Sequence, residues 1–249
     1  MLRYFLKLSY NGTPFCGWQI QPNGLTVQGV VEKALATLFR KPVPVMGCGR
    51  TDTGVHAREF FAHFDCDEEL SDEKRNALVY KLNGLLPSEV VIHDIFPVPA
   101  EAHARFDAVE RTYRYYISTK KDCFDTDFSY LCHFKLDIGK MNEAAALLLN
   151  NEDFTSFAKV HTDVNNHNCH VTSAFWEQNG DKLVFEITSN RFLRNMVRAI
   201  VGTLLEVGKG KISLEDFQNI INQKDRCKAG TSAPAKALFL EKVRYPFVS

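Results

Sequence analysis

Period-two alternation opens the chain. Tyr4, Leu6, Leu8 and Tyr10 fall on one face of a segment running from Leu2 to Tyr10. Such a segment is a β-strand with one apolar face, and a lone strand must find partners. The spacing of Val27, Val30, Val31, Ala34, Leu35 and Leu38 then predicts a helix that Thr26 can cap. Val43 to Met46 reads as a short strand, and Phe60, Ala62, Phe64 and Cys66 alternate again. Ser71 opens a second helix, with Asp72 and Glu73 at its positive end. Val90 to Val98 gives a strand closed by prolines.

A comparable order recurs downstream. Arg111 to Ser118 alternates as a strand, and Met141 to Leu149 is a helical run rich in alanine and leucine. Val171 to Glu177 and Leu183 to Thr188 flank Asn179-Gly180, a hairpin signal. Phe192 to Val207 is expected as one long helix, Ser213-x-x-Asp216 as the start of another, and Leu238 to Tyr245 as the last strand. The expected fold class is therefore α+β: two subdomains with mostly antiparallel sheets, 1–107 and 108–249, joined into one body.

Composition narrows the classes. The 249 residues are 45% hydrophobic and 24% charged, which is ordinary for a globular protein, and no apolar run approaches a membrane span. The first residues are too interrupted by charge for a signal peptide, so the cytoplasm is the expected compartment. Seven scattered cysteines with no C-x-x-C pair suggest neither a disulfide scaffold nor a zinc ribbon. His161, His167, Cys169 and His170 lie close together, but their spacing fits no zinc pattern, and a polar surface loop is the better reading. The formal charge is zero, yet Arg191 to Ser249 carries eleven Lys/Arg against five acids. Segregated charge can make one face positive on a neutral molecule, and it equally suits ordinary solvated faces.

Chemistry concentrates in Gly47-Cys48-Gly49-Arg50-Thr51-Asp52-Thr53-Gly54-Val55-His56-Ala57. Glycines and small hydroxyls hold a tight bend that presents one carboxylate, Asp52, two residues after the guanidinium of Arg50. On the expected helix Arg191, Arg194 and Arg198 are spaced to line one side, and Gly202 continues the Arg198 side where another backbone could approach. In Arg111-Thr112-Tyr113-Arg114-Tyr115-Tyr116 the tyrosines at 113 and 115 share one face, with Arg114 and Tyr116 on the other. Aromatics beside arginines suit stacking on bases and contact with phosphates, and tyrosine is equally at home half-buried in a sheet.

Gly49-Arg50-Thr51-Asp52-Thr53-Gly54-Val55-His56-Ala57 resembles the signature of the tRNA pseudouridine synthase A family. The resemblance runs nearly the whole chain. Tyr10-Asn11-Gly12, Gly17-Trp18-Gln19, His103-Ala104-Arg105-Phe106, Tyr113-Arg114-Tyr115 and Asp153-Phe154-Thr155-Ser156-Phe157 match, as do Asn195-Met196-Val197-Arg198, Ile200-Val201-Gly202 and Leu238-Phe239-Leu240. It implies a homodimer whose basic clefts bind the anticodon arm of tRNA, and isomerisation of uridine at positions 38 to 40. On that pattern Asp52 is the catalytic aspartate, Tyr113 stacks on the target base, and Arg198 pairs with Asp52. Arg50, Thr51 and Leu238 would also lie at the substrate, with Arg191 and Arg194 on phosphates. No cofactor and no metal are implied.

Three positions depart from the pattern: Phe60 where glutamine is usual, Asn168-Cys169-His170 where an arginine often stands, and Ala237 in place of a glycine. They leave the implied chemistry intact and bear on RNA contacts. The competing readings are a non-catalytic tRNA-binding or chaperone protein, and a phosphate-binding loop at 47–54. The second is disfavoured because the loop lacks the lysine of a G-K-[ST] motif and carries an anion where phosphate would sit.

Overall fold

The structure, a computed structural model, describes residues 1–159 and 166–248. The chain divides into two units, Met1–Val109 with Leu240–Ser249, and Glu110–Phe239. The expected boundary at 107/108 lies two residues from this division. The closing residues, expected in the C-terminal subdomain, group with the N-terminal one.

In the first unit β1 (Leu2–Tyr10) lies between β3 (His56–Cys66) and β4 (Val90–Val98), antiparallel to both. β9 (Leu238–Arg244) follows β3 in the sheet order. Thr26 caps α1 (Val27–Phe39) by accepting from the Gly29 amide, and Ser71 caps α2 (Asp72–Leu85) in the same way from Lys74. The expected strand at 43–46 is replaced by β2, only Met46–Gly47. Pro44 offers no amide, and α1 satisfies the Val45 backbone instead: Glu32 Oε1 accepts from its N–H and Gln28 Nε2 donates to its carbonyl. Tyr245 meets Phe5 and Phe61 edge to face in the core, each at 5.2 Å.

In the second unit the sheet order is β5 (Glu110–Ser118), β8 (Lys182–Ser189), β7 (Val171–Asn179), all antiparallel, with the two-residue β6 (Tyr130–Leu131) parallel to β5. Asn179 pairs with Lys182, so the hairpin loop is Gly180-Asp181, one place later than expected. α3 (Ile138–Leu147) and α5 (Leu214–Gln223) flank α4 (Met196–Gly208). Eleven of the thirteen α4 residues are buried, all but Arg198 and Glu206. The helix expected from Phe192 starts four residues later, because Asn195 takes a left-handed conformation at φ 67° and breaks the helical path.

The matched stretch 153–157 is a structural staple. Asp153 braces the start of the short turn 155–157 by accepting from the Thr155 amide at 3.0 Å. Burial raises its pKa, but the ion pair with Lys224 at 2.9 Å and the Thr155 bonds outweigh this and hold the carboxyl down at about 2. Ser156, wholly buried, donates to the Ile220 carbonyl at 2.6 Å and accepts from the Asp225 amide at 3.1 Å.

Two stability predictions follow from these buried groups. Ser156→Ala strands one buried acceptor and one buried donor, so urea denaturation should show a loss of about 1–3 kcal/mol. His63 is buried and its Nδ1 accepts from the Ala104 amide at 3.1 Å. Burial first, then the Arg3 charge, pushes its pKa down to about 4. The unfolded chain takes up that proton near pH 6.5, so stability should fall as pH drops from 6.5 to 4. The loss is on the order of 2 kcal/mol, less than the full shift implies because the imidazolium keeps part of its hydration. His63→Asn, whose amide oxygen can take the place of Nδ1, should flatten that interval in denaturation midpoints measured against pH.

Candidate active site

Asp52 sits half-exposed on the loop between β2 and β3, with Thr51 half-exposed and Arg50 exposed. The loop is pinned from beneath. The hydroxyls of Tyr10 and Thr51 share a hydrogen bond at 2.9 Å, and the Trp18 amide donates to the Thr51 carbonyl at 3.4 Å. Past Asp52, the Gly54 amide donates to the Phe15 carbonyl at 3.3 Å, and that of Val55 to the Asp52 carbonyl at 3.1 Å. Gly17, at φ 83°, packs so closely that a Cβ there would overlap the Thr51 carbonyl oxygen. Behind the loop the Trp18 and Phe60 rings stack at 4.1 Å, with Tyr10 edge-on to Phe60 at 5.5 Å. Phe60 is wholly buried, so this departure from the family pattern is a core residue supporting the loop. Gly49 differs from Gly17: a Cβ there would meet nothing within 4 Å.

The second unit places Tyr113 on β5, half-buried, with its ring edge-to-face against Phe192 at 5.1 Å. Sequence reading missed Phe192 because it assigned that residue to a helix. Tyr115, on the same strand face, is buried and donates its hydroxyl to the Pro234 carbonyl at 3.0 Å. Burial raises the Tyr115 pKa strongly, against a smaller opposing effect of the Arg198 charge, so this phenol does not serve as a base. Arg114 pairs with Glu186 at 2.7 Å, and Tyr116 packs edge-on against Phe239 at 5.2 Å.

Arg198, half-buried on the first turn of α4, donates from Nε to the Ala233 carbonyl at 2.7 Å. The Ala233 amide donates back to the Arg198 carbonyl at 2.9 Å. Gly202 meets the expectation of close approach, since a Cβ on it would overlap the Thr231 carbonyl oxygen. Leu238 begins β9 and is buried, after a wholly buried Ala237.

The arginine stripe is not formed. Arg191 and Arg194 precede α4 in an irregular stretch ended by the left-handed Asn195, so only Arg198 is helical. Arg191 donates to Asn166 Oδ1 at 3.3 Å, and the Arg194 carbonyl accepts from the Lys159 amide at 3.0 Å. Both are surface cations of the second unit, with Arg194 exposed. Of the histidine-rich cluster, His161 lies outside the described residues. Cys169 is buried, and burial pushes its thiol up to about 11, which leaves it protonated and a poor metal ligand at neutral pH. With His170, Glu152, Asn168 and Asn190 it lines an open recess of about 270 Å³. Among the described residues no group of three His, Cys, Asp or Glu is placed to hold a metal ion.

A family model described as tRNA pseudouridine synthase matches residues 144–246. The chain is 57% identical over 246 residues to a tRNA pseudouridine synthase A of Parabacteroides distasonis, covering 99% of this chain and 97% of that protein. It is 54% identical to one of Bacteroides fragilis (98% and 96% covered) and 36% identical to one of Exiguobacterium sibiricum (99% and 98%).

The two glycines of the loop region separate support from exposure. Gly17→Ala should cost about 2–4 kcal/mol in urea denaturation, combining a left-handed φ with overlap on Thr51. Gly49→Ala should stay within about 0.5 kcal/mol of the parent, because nothing in the fold needs that space.

Proposed function

The chain belongs to the tRNA pseudouridine synthase A family, and we propose that it isomerises uridine to pseudouridine at positions 38 to 40 of tRNA, with Asp52 as its catalytic residue. The observation that carries this is the mounting of Asp52. A half-exposed carboxylate stands on a loop whose backbone is bonded to Phe15 and Trp18 and whose Thr51 hydroxyl is bonded to that of Tyr10. A group that must meet a ribose within a fraction of an ångström gains from such a base.

The reaction breaks the bond between N1 of uracil and C1′ of the ribose, turns the base, and joins its C5 to the same C1′. C5 loses a proton and N1 gains one, so atoms and electrons balance without oxidant, reductant or group donor. No cofactor or metal is called for by that balance. Asp52 acts at the ribose, by attack at C1′ or by removing the 2′ hydrogen, and either route sets the carboxylate against the sugar. Arg198 from the second unit pairs with Asp52 and orients it. On this reading residues carried by both units act on one uridine.

Tyr113 stacks on the uracil after it leaves the RNA stack, an extrusion that costs a few kcal/mol. Its edge-to-face contact with Phe192 fixes the plane of the ring for that task. Arg50 and Thr51 flank Asp52 and contact the RNA around the target nucleotide. Leu238 gives the base an apolar wall, and Arg191 and Arg194 meet phosphates. The partner is the anticodon arm of tRNA, bound by a homodimer in the cytoplasm. No helix among the described residues is long and apolar enough to cross a membrane.

The deciding experiment maps pseudouridine in unmodified tRNA incubated with the protein and with Asp52→Asn. Parent protein should produce pseudouridine at 38 to 40. The variant should bind tRNA with unchanged affinity and lose at least about 10³-fold in rate. Near-parental turnover by Asp52→Asn would remove Asp52 from its role. Binding without turnover by the parent would favour the non-catalytic reading. Affinity should also fall steeply as salt rises, as phosphate contacts require.

A further inference from the structure

Arg198 is held at Nε by the main chain of the 229–234 segment, and the place of that main chain depends in turn on the side chains around it. Residues 229–234 cross the start of α4 without regular structure, and Ala229, Gly230 and Ala233 contribute no polar side chain. Polar groups on either side hold the segment down. Arg226 donates from Nη2 to Ser232 Oγ at 2.9 Å and from Nη1 to the Gly230 carbonyl at 3.2 Å. Asn195 donates from Nδ2 to the same Ser232 oxygen at 2.7 Å. The Gly230 amide donates to Thr203 Oγ1 at 2.9 Å, one turn beyond Arg198. The next residue after Ser232 is Ala233, whose carbonyl fixes Nε of Arg198 and whose amide fixes its backbone.

We propose that Arg226, Ser232 and Asn195 form a positioning device for Arg198, setting the plane of its guanidinium through the 229–234 segment. The proposal rests on the role given to Arg198 above. A guanidinium on four rotatable bonds loses its aim unless some contact fixes the plane of the fork. The Ala233 carbonyl supplies that contact only while its own backbone stays in place. Ser232 is a tether beside the Tyr115 hydroxyl that holds the Pro234 carbonyl, because its oxygen accepts from two donors at once: the Arg226 fork and the amide that ends the irregular stretch before α4. Asn195 suits this double duty. It takes the left-handed turn that starts the helix and makes no capping bond to it, while its amide holds Ser232. Arg226 therefore acts on the reaction through Arg198, as a positioning residue.

The test uses the full-length protein with Arg226→Gln, Arg226→Lys, Ser232→Ala and Asn195→Gly. Glycine accepts the backbone at φ 67°, so the last variant removes only the amide. Two readouts are needed: steady-state pseudouridine formation on a tRNA transcript, and the ¹⁵N–¹H signal of Arg198 Nε, assigned by its loss in Arg198→Lys. Arg226→Gln, Ser232→Ala and Asn195→Gly should each lower kcat about tenfold or more while KM for tRNA moves less than about twofold. The Arg198 Nε–H signal should shift and exchange faster in all three. Arg226→Lys keeps the charge without the fork, and should stay within about threefold of Arg226→Gln.

A raised KM that steepens with salt at intact kcat would make Arg226 an RNA contact and overturn the proposal. So would full recovery by Arg226→Lys, or an Arg198 signal unmoved by all three variants. Should Arg226→Gln fail to fold, Ser232→Ala and Asn195→Gly carry the same decision, since each removes a smaller contact. If the parent protein makes no pseudouridine, the functional reading fails alone, and the Arg198 signal still decides the positioning.

Discussion

Backbone pressed against backbone, with no side chain between, governs both regions that carry the candidate catalytic groups. Gly17 lies against the Thr51 carbonyl beneath the Asp52 loop, and Gly202 lies against the Thr231 carbonyl beneath the Arg198 segment. A methyl group at either place would force the layers apart, and with them the residue they present. Side-chain packing tolerates small shifts by rotamer change, whereas main-chain contact has no such freedom. Ordering a loop costs about 1–2 kcal/mol per residue in backbone entropy, so a rigid loop needs dense local contact to offset it. The Trp18–Phe60 stack and the Tyr10 hydroxyl supply that contact in the first unit. In the second unit it comes from α4, buried on nearly every side.

The second unit extends this support over a long stretch of chain. Ser156 accepts from the Asp225 amide, Asp225 caps the turn 226–228 by accepting from the Cys227 amide at 2.8 Å, and that turn begins with Arg226. From Arg226 the bonds run through Ser232 to the segment that grips Arg198. The stretch 153–157, far from Arg198 in sequence, thus lies at the root of its support. Buried polar groups are costly when unpaired, so a chain of fully used donors and acceptors has one low-energy arrangement. That is a physical reason for the motif.

Much of the fold could be read from periodicity and caps. β1 and the helices begun by Thr26, Ser71 and Ser213 stand where alternation and capping chemistry put them. The misreadings share one cause: local pattern was overruled by a partner distant in sequence. Val43 and Val45 are apolar as in a strand, but Gln28 and Glu32 of α1 take up the Val45 backbone. The run from Phe192 keeps helical spacing, yet Asn195 adopts a left-handed turn and sends its amide to Ser232. The arginine stripe failed with that helix, since three arginines share a side only if one helix carries them all. For the site, the sequence made the Asp52 loop and the open space beside Gly202 legible. It left unreadable that the Thr231 carbonyl fills that space and the Ala233 carbonyl grips Arg198, because carbonyls carry no residue-type signal.

A single carboxylate suits the chemistry proposed for it. Glycoside hydrolysis by the usual route needs two carboxyl groups, because one must protonate the leaving group and a water must be activated. In the isomerisation the departing base is also the incoming nucleophile, so water has no part and would only divert the intermediate to hydrolysis. A site of this kind gains more from holding the freed uracil than from a second acid. The arrangement around Tyr113 has that character: an aromatic face set by Phe192, on a strand whose neighbouring tyrosine is sealed in the core. On the proposed reading the cost of extruding the base is met by stacking, and the carboxylate is left to act at the sugar alone.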